Sequence, residues 1–116
     1  MSAMTIDGRD LVVALDRNER WFGLLRELRV PVEAIAAVDI VPDGRRAVRG
    51  IRALGLAGPR RLIGTWRAKN DKQYVCVRRD QPAVRVILDG QDYRTVLINL
   101  DDADRVAAQI RSTAGL

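Results

Sequence analysis

The sequence predicts one mainly β domain: a seven-stranded antiparallel barrel or sandwich, capped by a C-terminal α-helix. Short β-prone runs recur at intervals of about 8–12 residues, as is typical of sandwiches and barrels. No helical pattern lies between these runs, which excludes a parallel βαβ sheet. The apolar residues adopt a helical spacing only after residue 100. Since 116 residues fit one domain, we assign the whole chain, 1–116, to it.

The first strands are predicted from apolar runs that end in turn residues. These strands are Leu11–Leu15, Trp21–Val30 and Ile35–Val41. Pro31 predicts a single helical turn before the third strand, because proline suits the first position of a helix. Pro42-Asp43-Gly44 ends the third strand with turn residues. Strands should therefore begin near residue 10, and residues 1–9 are expected to fray.

Residues 44–60 are the least regular part of the sequence. Gly50, Gly55, Gly58 and Pro59 interrupt the segment, although a short strand around Ala47–Leu54 is compatible with it. We interpret the segment as a long loop. A loop of this length in a small domain is usually either functional or disordered, and the sequence leaves both readings open.

Four strands follow in the second half of the chain and end near residue 99. They are Arg61–Ala68, Gln73–Arg79, Ala83–Leu88 and Tyr93–Asn99. Asp89-Gly90 predicts a hairpin between the last two. Alternation along a strand sets Leu62 and Trp66 on one face, so we expect Trp66 in the core.

The C-terminal helix is predicted over about residues 102–113. Its buried face follows helical spacing through Ala103, Val106, Ala107 and Ile110. Asp101 is the predicted N-cap, and Asp102 and Asp104 suit the positive end of the helix dipole. Gly115 is the expected C-terminal cap, and residues 114–116 are expected to fray.

The order of these elements resembles the bacterial pleckstrin-homology-like family. Three stretches carry the resemblance: Val30–Ile35, the glycine-punctuated segment Gly50–Trp66, and Val86–Arg94 with the helix start at Leu100–Asp102. The resemblance implies seven antiparallel strands, a C-terminal helix and a binding scaffold. Eukaryotic relatives bind phosphoinositides through basic residues of the first hairpin. Here the first turn, Asp16–Glu19, is short and mixed in charge, so that site is not carried over.

Catalysis finds little support in the sequence. The chain contains no histidine, so the commonest general base near neutral pH is absent. The only acidic cluster is that of Asp101, Asp102 and Asp104, which helix capping explains without a metal. Gly50 and Gly55 lack the lysine and hydroxyl of a phosphate-binding loop. The single cysteine, Cys76, lies in an apolar run, which predicts a small buried side chain. We therefore predict no enzyme activity, no metal and no cofactor.

Positive charge is concentrated in one segment. The net charge is +5, and residues 44–61 contain six arginines and no acidic residue. These arginines are the candidate anion-binding or partner-binding residues: Arg45, Arg46, Arg49, Arg52, Arg60 and Arg61. The alternative is an ordinary solvated loop.

The sequence predicts a non-enzymatic interaction module that contacts an acidic protein or peptide through this arginine-rich segment. Two alternatives are peripheral binding to an anionic membrane surface and nucleic-acid binding. The nucleic-acid alternative is the weaker one, because no aromatic residue interleaves with the arginines. With no signal-peptide pattern and no long apolar stretch, we expect a cytoplasmic protein. The sequence leaves the oligomeric state open.

Overall fold

The computed structural model describes residues 3–16, 25–58 and 60–116. In these ranges the chain forms nine β-strands, a short 3-10 turn and two α-helices. The elements in chain order are β1 (Ala3–Asp7), β2 (Asp10–Ala14), β3 (Leu28–Pro31), the 3-10 turn (Val32–Ala34), β4 (Ile35–Val41), α1 (Gly44–Ala47), β5 (Ile51–Ala57), β6 (Arg61–Ala68), β7 (Asp71–Arg78), β8 (Ala83–Leu88), β9 (Thr95–Asn99) and α2 (Ala103–Ala114).

The strands form two sheets. β1, β2 and β3 make a three-stranded antiparallel sheet, and the other six strands make a second sheet in the order β4-β8-β9-β7-β6-β5. The 3-10 turn carries the chain from one sheet to the other, and the Val32 amide donates to the Arg9 carbonyl at 2.8 Å. The mainly β fold with a C-terminal helix is as predicted.

Several predicted elements are confirmed closely. β4, β6 and β8 have the predicted bounds, and the helical turn after Pro31 is present. β8 and β9 form the predicted antiparallel hairpin around Gly90. α2 begins and ends within a residue of the prediction, and Gly115 caps it in the left-handed conformation with φ 76°.

Strand β1 corrects the prediction that residues 1–9 fray for Ala3–Asp7, and residues 1–2 lie outside the described residues. It pairs with β2 along its whole length, from Ala3 opposite Ala14 to Asp7 opposite Asp10. Met4 is buried in the main core. The two apolar residues Met4 and Ile6 are too few to predict a strand from the sequence. Pairing with β2 stabilises β1.

The prediction of a purely antiparallel sheet was wrong at one position. β9 lies between β8 and β7, and it pairs with β7 in parallel. The reason is burial on both faces: Val96, Leu97 and Ile98 are each fully buried. A strand that is apolar on both sides suits the interior of a sheet rather than an edge.

The predicted number of seven strands was wrong, and of the predicted barrel or sandwich the barrel was wrong. β1 and β5 are additional strands, and in the described ranges no ladder joins the two sheets into a closed barrel. The main core lies between the two sheets and α2, with residues such as Leu11, Val86 and Ile110. A second core lies on the opposite face of the six-stranded sheet, around Trp66 and Val75.

The helix termini differ in detail from the prediction. Asp102 rather than Asp101 occupies the N-cap, and its side chain makes no capping hydrogen bond. Its carboxylate instead accepts a hydrogen bond from Arg105, which holds the pKa of Asp102 below its usual value. At the other end, the Leu116 amide donates to the Arg111 carbonyl at 2.9 Å, so the last residues are capped rather than frayed.

The predicted second strand, Trp21–Val30, is only partly within the described ranges. Strand β3 begins at Leu28, and residues 25–27 precede it outside any strand. Trp21 and the predicted first turn, apart from Asp16, lie outside the described residues. Cys76 is buried in the main core, as predicted.

Candidate functional site

In its described residues the arginine-rich segment forms a short helix and a strand, which corrects its interpretation as a loop. It begins with the short helix α1, whose first turn is capped by Asp43. The Asp43 carboxylate accepts hydrogen bonds from the Arg45 amide at 3.1 Å and from the Arg46 amide at 3.4 Å. Gly44 lies against Val77, where a Cβ atom would approach within 2.9 Å. α1 therefore packs directly on the second core.

The segment then crosses the face of the six-stranded sheet. Ala47 and Val48 cover the second core, and Gln73 fixes the chain at the far side. The buried Gln73 amide donates to the Arg49 carbonyl at 2.7 Å and accepts from the Arg49 amide at 3.3 Å. One side chain thus replaces the pair of hydrogen bonds that a neighbouring strand would provide.

β5 completes the segment as an edge strand, and Gly64 allows its approach. β5 pairs with β6 in antiparallel fashion, with a bulge between Arg52 and Leu54. Gly64 has φ +148°, and a Cβ at this position would lie 2.0 Å from the Leu54 carbonyl oxygen. Any side chain here would push β5 away from the sheet.

Two pairs of arginines face each other where β6 begins and β7 ends. Arg61 is directly opposite Arg78 in the ladder. One residue further out, the Arg79 amide donates to the Arg60 carbonyl at 2.7 Å. Residues directly opposite in an antiparallel pair have Cβ atoms about 5 Å apart, and like charges in these positions repel. The like charges within each pair therefore repel each other, and Asp80, 3.7 Å from Arg79, offsets part of this repulsion.

Hydrogen bonds bring the arginines of α1 to the same end of the sheet. The Gly44 amide donates to the Gln81 carbonyl at 2.8 Å, and the Asp80 amide donates to the Asp43 carboxylate. Asp43 is 3.6 Å from Arg46, and Asp80 is 3.7 Å from Arg79. We call this region the arginine end. It comprises Arg45, Arg46, Arg60, Arg61, Arg78 and Arg79, with Asp43 and Asp80 among them.

The structure separates the six predicted arginines into two groups. Arg45, Arg46, Arg60 and Arg61 belong to the arginine end. Arg52 of β5 is opposite Trp66 of β6, and Trp66 is opposite Gln73 of β7. The Gln73 side chain in turn donates a hydrogen bond to the Arg49 backbone. Arg49 and Arg52 are exposed and lie away from the arginine end, Arg49 just before β5 and Arg52 within it.

Arg78 and Arg79 were missed by the sequence prediction. A signal was present, because a hairpin turning at residues 69–70 places residue 61 opposite residue 78. The contact of α1 with residues 80–81 carried no such signal, since it joins positions far apart in the chain.

Asp43 keeps its negative charge among these arginines. Burial alone would raise the pKa of Asp43. Hydrogen bonds from the amides of Asp80, Arg46 and Arg45 outweigh burial, and the pKa is lowered from its usual 3.8. The arginine end is therefore a mixed surface with a large positive excess rather than a uniformly positive one.

A polar cleft of about 450 Å³ lies at the opposite end of the sheet. Several of its charged groups are paired within the protein. Lys72 is 2.7 Å from Asp92 and sits 4.6 Å from the centre of the Tyr93 ring. Asp71 accepts a hydrogen bond from Thr95 at 2.9 Å. The arginine end, with six arginines and two aspartates, has the larger formal excess of positive charge.

Other chemistry is sparse in the described residues. Within residues 3–16, 25–58 and 60–116, no three cysteine or carboxylate side chains gather closely enough to hold a metal ion. Of the aromatic rings in these ranges, Trp66 and Tyr74 are buried, and Tyr93 is half-buried. No helix in the described part is long and apolar enough to cross a membrane.

Comparison with known proteins gives no assignment. No family model, no curated protein and no solved structure matches this chain.

Proposed function

We propose that this protein is a non-enzymatic interaction module that binds an acidic protein or peptide through the arginine end. The observation that carries this proposal is the direct pairing of Arg61 with Arg78, with Arg60 beside Arg79 in the next position. Mutual repulsion within these pairs is relieved when carboxylates lie between the guanidinium groups, and arginine suits two-point contact with a carboxylate.

The mixture of charges favours a protein partner over a uniform anionic surface. Asp43 and Asp80 lie among the arginines, and Asp43 remains ionised. These carboxylates would repel phosphates of a membrane or nucleic acid, whereas a protein can place a basic residue opposite them. The described aromatic rings are also too buried to stack on bases, which nucleic-acid single-strand binders usually require.

The proposal includes a pleckstrin-homology-like ancestry. The support is the mainly β architecture with a C-terminal helix packed against a sheet. The additional strands β1 and β5 and the parallel pairing of β9 are departures from the expected pattern. Such a scaffold has no implied activity, so the function depends on the surface that it presents.

The test is binding of a fluorescein-labelled polyglutamate peptide, followed by fluorescence anisotropy. The variant Arg60→Ala/Arg79→Ala should weaken binding about tenfold, equivalent to about 1.4 kcal/mol. Its matched control is Arg9→Ala/Arg26→Ala, which removes the same charge from exposed positions elsewhere. Equal weakening by the two variants would show that only net charge matters and would overturn the proposal.

The alternatives are decided in the same experiment. Vesicles of phosphatidylserine and phosphatidylcholine test membrane binding, and an oligodeoxythymidine strand tests nucleic-acid binding. We expect the peptide to bind more tightly than either at physiological salt. Tighter binding to vesicles or to DNA, with the same dependence on Arg60 and Arg79, would replace the acidic protein by that ligand.

A further inference from the structure

We propose that β5 is a docking edge for an extended acidic segment of the partner, which adds to the six-stranded sheet as another strand. The inference rests on the proposed function and names the form of the ligand. β5 is hydrogen-bonded to β6 on one side only, and no strand of the described residues pairs with its outer side. Its outward backbone groups are therefore available, and extended peptides bind such edges in many proteins.

The side chains of β5 include two exposed apolar anchors. The side chain of Ile51 is 76% exposed and that of Leu54 is 54% exposed. Ile51 is opposite Arg67 and Leu54 is opposite Thr65, two positions of β6 that share a face. The bulge between them thus directs both apolar residues to the same side of the sheet. Alternate apolar side chains of an added strand would cover them.

The charge around β5 selects an acidic occupant. Residues 49–61 contain four arginines and no acidic residue. Pairing with a second copy of this chain would set two such segments side by side, which like-charge repulsion opposes. An acidic segment would instead be attracted, because its carboxylates would lie beside Arg52 and Arg49. The occupant is therefore an extended segment in which acidic and apolar residues alternate.

The bulge limits the length of the added strand. It interrupts the regular ladder within β5, so uninterrupted pairing is confined to Leu54–Ala57. Bulges of this kind also keep sheet edges from pairing without limit. A short added strand would be anchored mainly by Leu54, with the arginine end holding the rest of the partner.

The experiment uses labelled peptides in which glutamate and valine alternate. Two further peptides carry backbone N-methyl groups, one on every valine and the other on every glutamate. An added strand directs alternate amides towards β5, so one N-methylated peptide should bind at least about tenfold more weakly than the other. Equal binding of both N-methylated peptides and the parent would overturn the docking edge.

Variants of the protein provide the second arm. Ile51→Ser/Leu54→Ser should weaken the alternating peptide but leave polyglutamate binding unchanged. Leu116→Ser is the matched control, because Leu116 is also exposed (57%) and lies away from β5. If Arg60→Ala/Arg79→Ala weakens both peptides while the serine variant weakens neither, the docking edge is wrong and the proposed function stands. If no acidic peptide binds the intact protein, both proposals fail.

Discussion

β4 and β5 are the two edges of the same sheet, but the protein covers one and leaves the other exposed. Helix α2 packs against β4, and Arg111 donates two hydrogen bonds to the Val38 carbonyl, at 3.0 and 2.7 Å. Asp39 on β4 forms a two-point ion pair with Arg85 of β8. Among the described residues, no helix packs against β5 in the same way, and Ile51 and Leu54 are exposed. In the described residues, the two edge strands therefore differ in how much of the protein packs against them.

The arginines near β5 bear on which strands this edge can accept. Charged side chains beside an edge strand oppose pairing with another copy. The same side chains attract a strand of opposite charge. The two edges therefore differ in what lies beside them: α2 packs against β4, whereas arginines flank β5, which the docking proposal assigns to an acidic strand.

The largest expected effect comes from Gly64→Ala. The new Cβ would overlap the Leu54 carbonyl at 2.0 Å, so β5 must move, with a loss of about 3 kcal/mol in the free energy of unfolding. Urea denaturation measures the loss, and hydrogen exchange should show lost protection in β5 but not in β4. Gly90→Ala is the control, since Gly90 has φ +70° with open space around it, and it should cost about 1–2 kcal/mol. Equal losses would contradict the close approach of β5.

A second pair of variants compares the side chains of the two edges. Val38→Ala on β4 should lower the free energy of unfolding by about 2 kcal/mol, because Val38 is buried in the main core. Ile51→Ala on β5 should change it by less than about 0.5 kcal/mol, because Ile51 is exposed. Urea denaturation measures both. A large effect at Ile51 would mean that β5 is already covered in the isolated protein.

The third prediction concerns the cover on β4. Arg111→Ala should lower stability by about 1 kcal/mol, because both hydrogen bonds to the Val38 carbonyl are lost. Arg105→Ala, which removes an exposed ion pair with Asp102, should cost less than about 0.5 kcal/mol. Thermal unfolding followed by circular dichroism compares the two. If Arg105 costs as much as Arg111, the guanidinium on β4 has no special role.

The smallest effect concerns Asp43, on the connection from β4 to α1. Its pKa is lowered in the folded protein, so its stabilising contribution is complete above its unfolded pKa. That contribution is lost as the pH falls below about 4 and through the folded pKa. Asp43→Asn should therefore flatten the acid dependence of the free energy of unfolding. Asp89→Asn is the control. An unchanged acid profile in Asp43→Asn would contradict the lowered pKa.

The strands that could be predicted share one property: the pattern of apolar and turn residues in their own sequence indicates them. β4, β6 and β8 have apolar runs that end at turn residues such as Pro42, and their bounds agree with the structure. The bounds of β5 could not be found this way, because residues 51–54 are exposed and the strand is accommodated by the space at Gly64. β1 likewise depends on its partner, since only Met4 of that strand is buried.

The candidate site, like the fold, was only partly predictable from the sequence. Composition identified the arginine-rich segment, and the register of the β6–β7 hairpin could have added Arg78 opposite Arg61. The separation of Arg49 and Arg52 from the arginine end could not be predicted. It follows from the long-range hydrogen bonds of Gln73 to Arg49, which hold the segment across the sheet.

The position of β9 affects how the sheet can assemble. β9 is the last strand in chain order, but it lies between β8 and β7 in the interior of the sheet. The hairpins of β5, β6 and β7 can close as soon as each strand is synthesised, whereas β8 cannot join them until residues 95–99 arrive. Distant pairings of this kind slow folding. During synthesis, one side of β7 and the pairing side of β4 therefore lack their partner strands until β8 and β9 have been made.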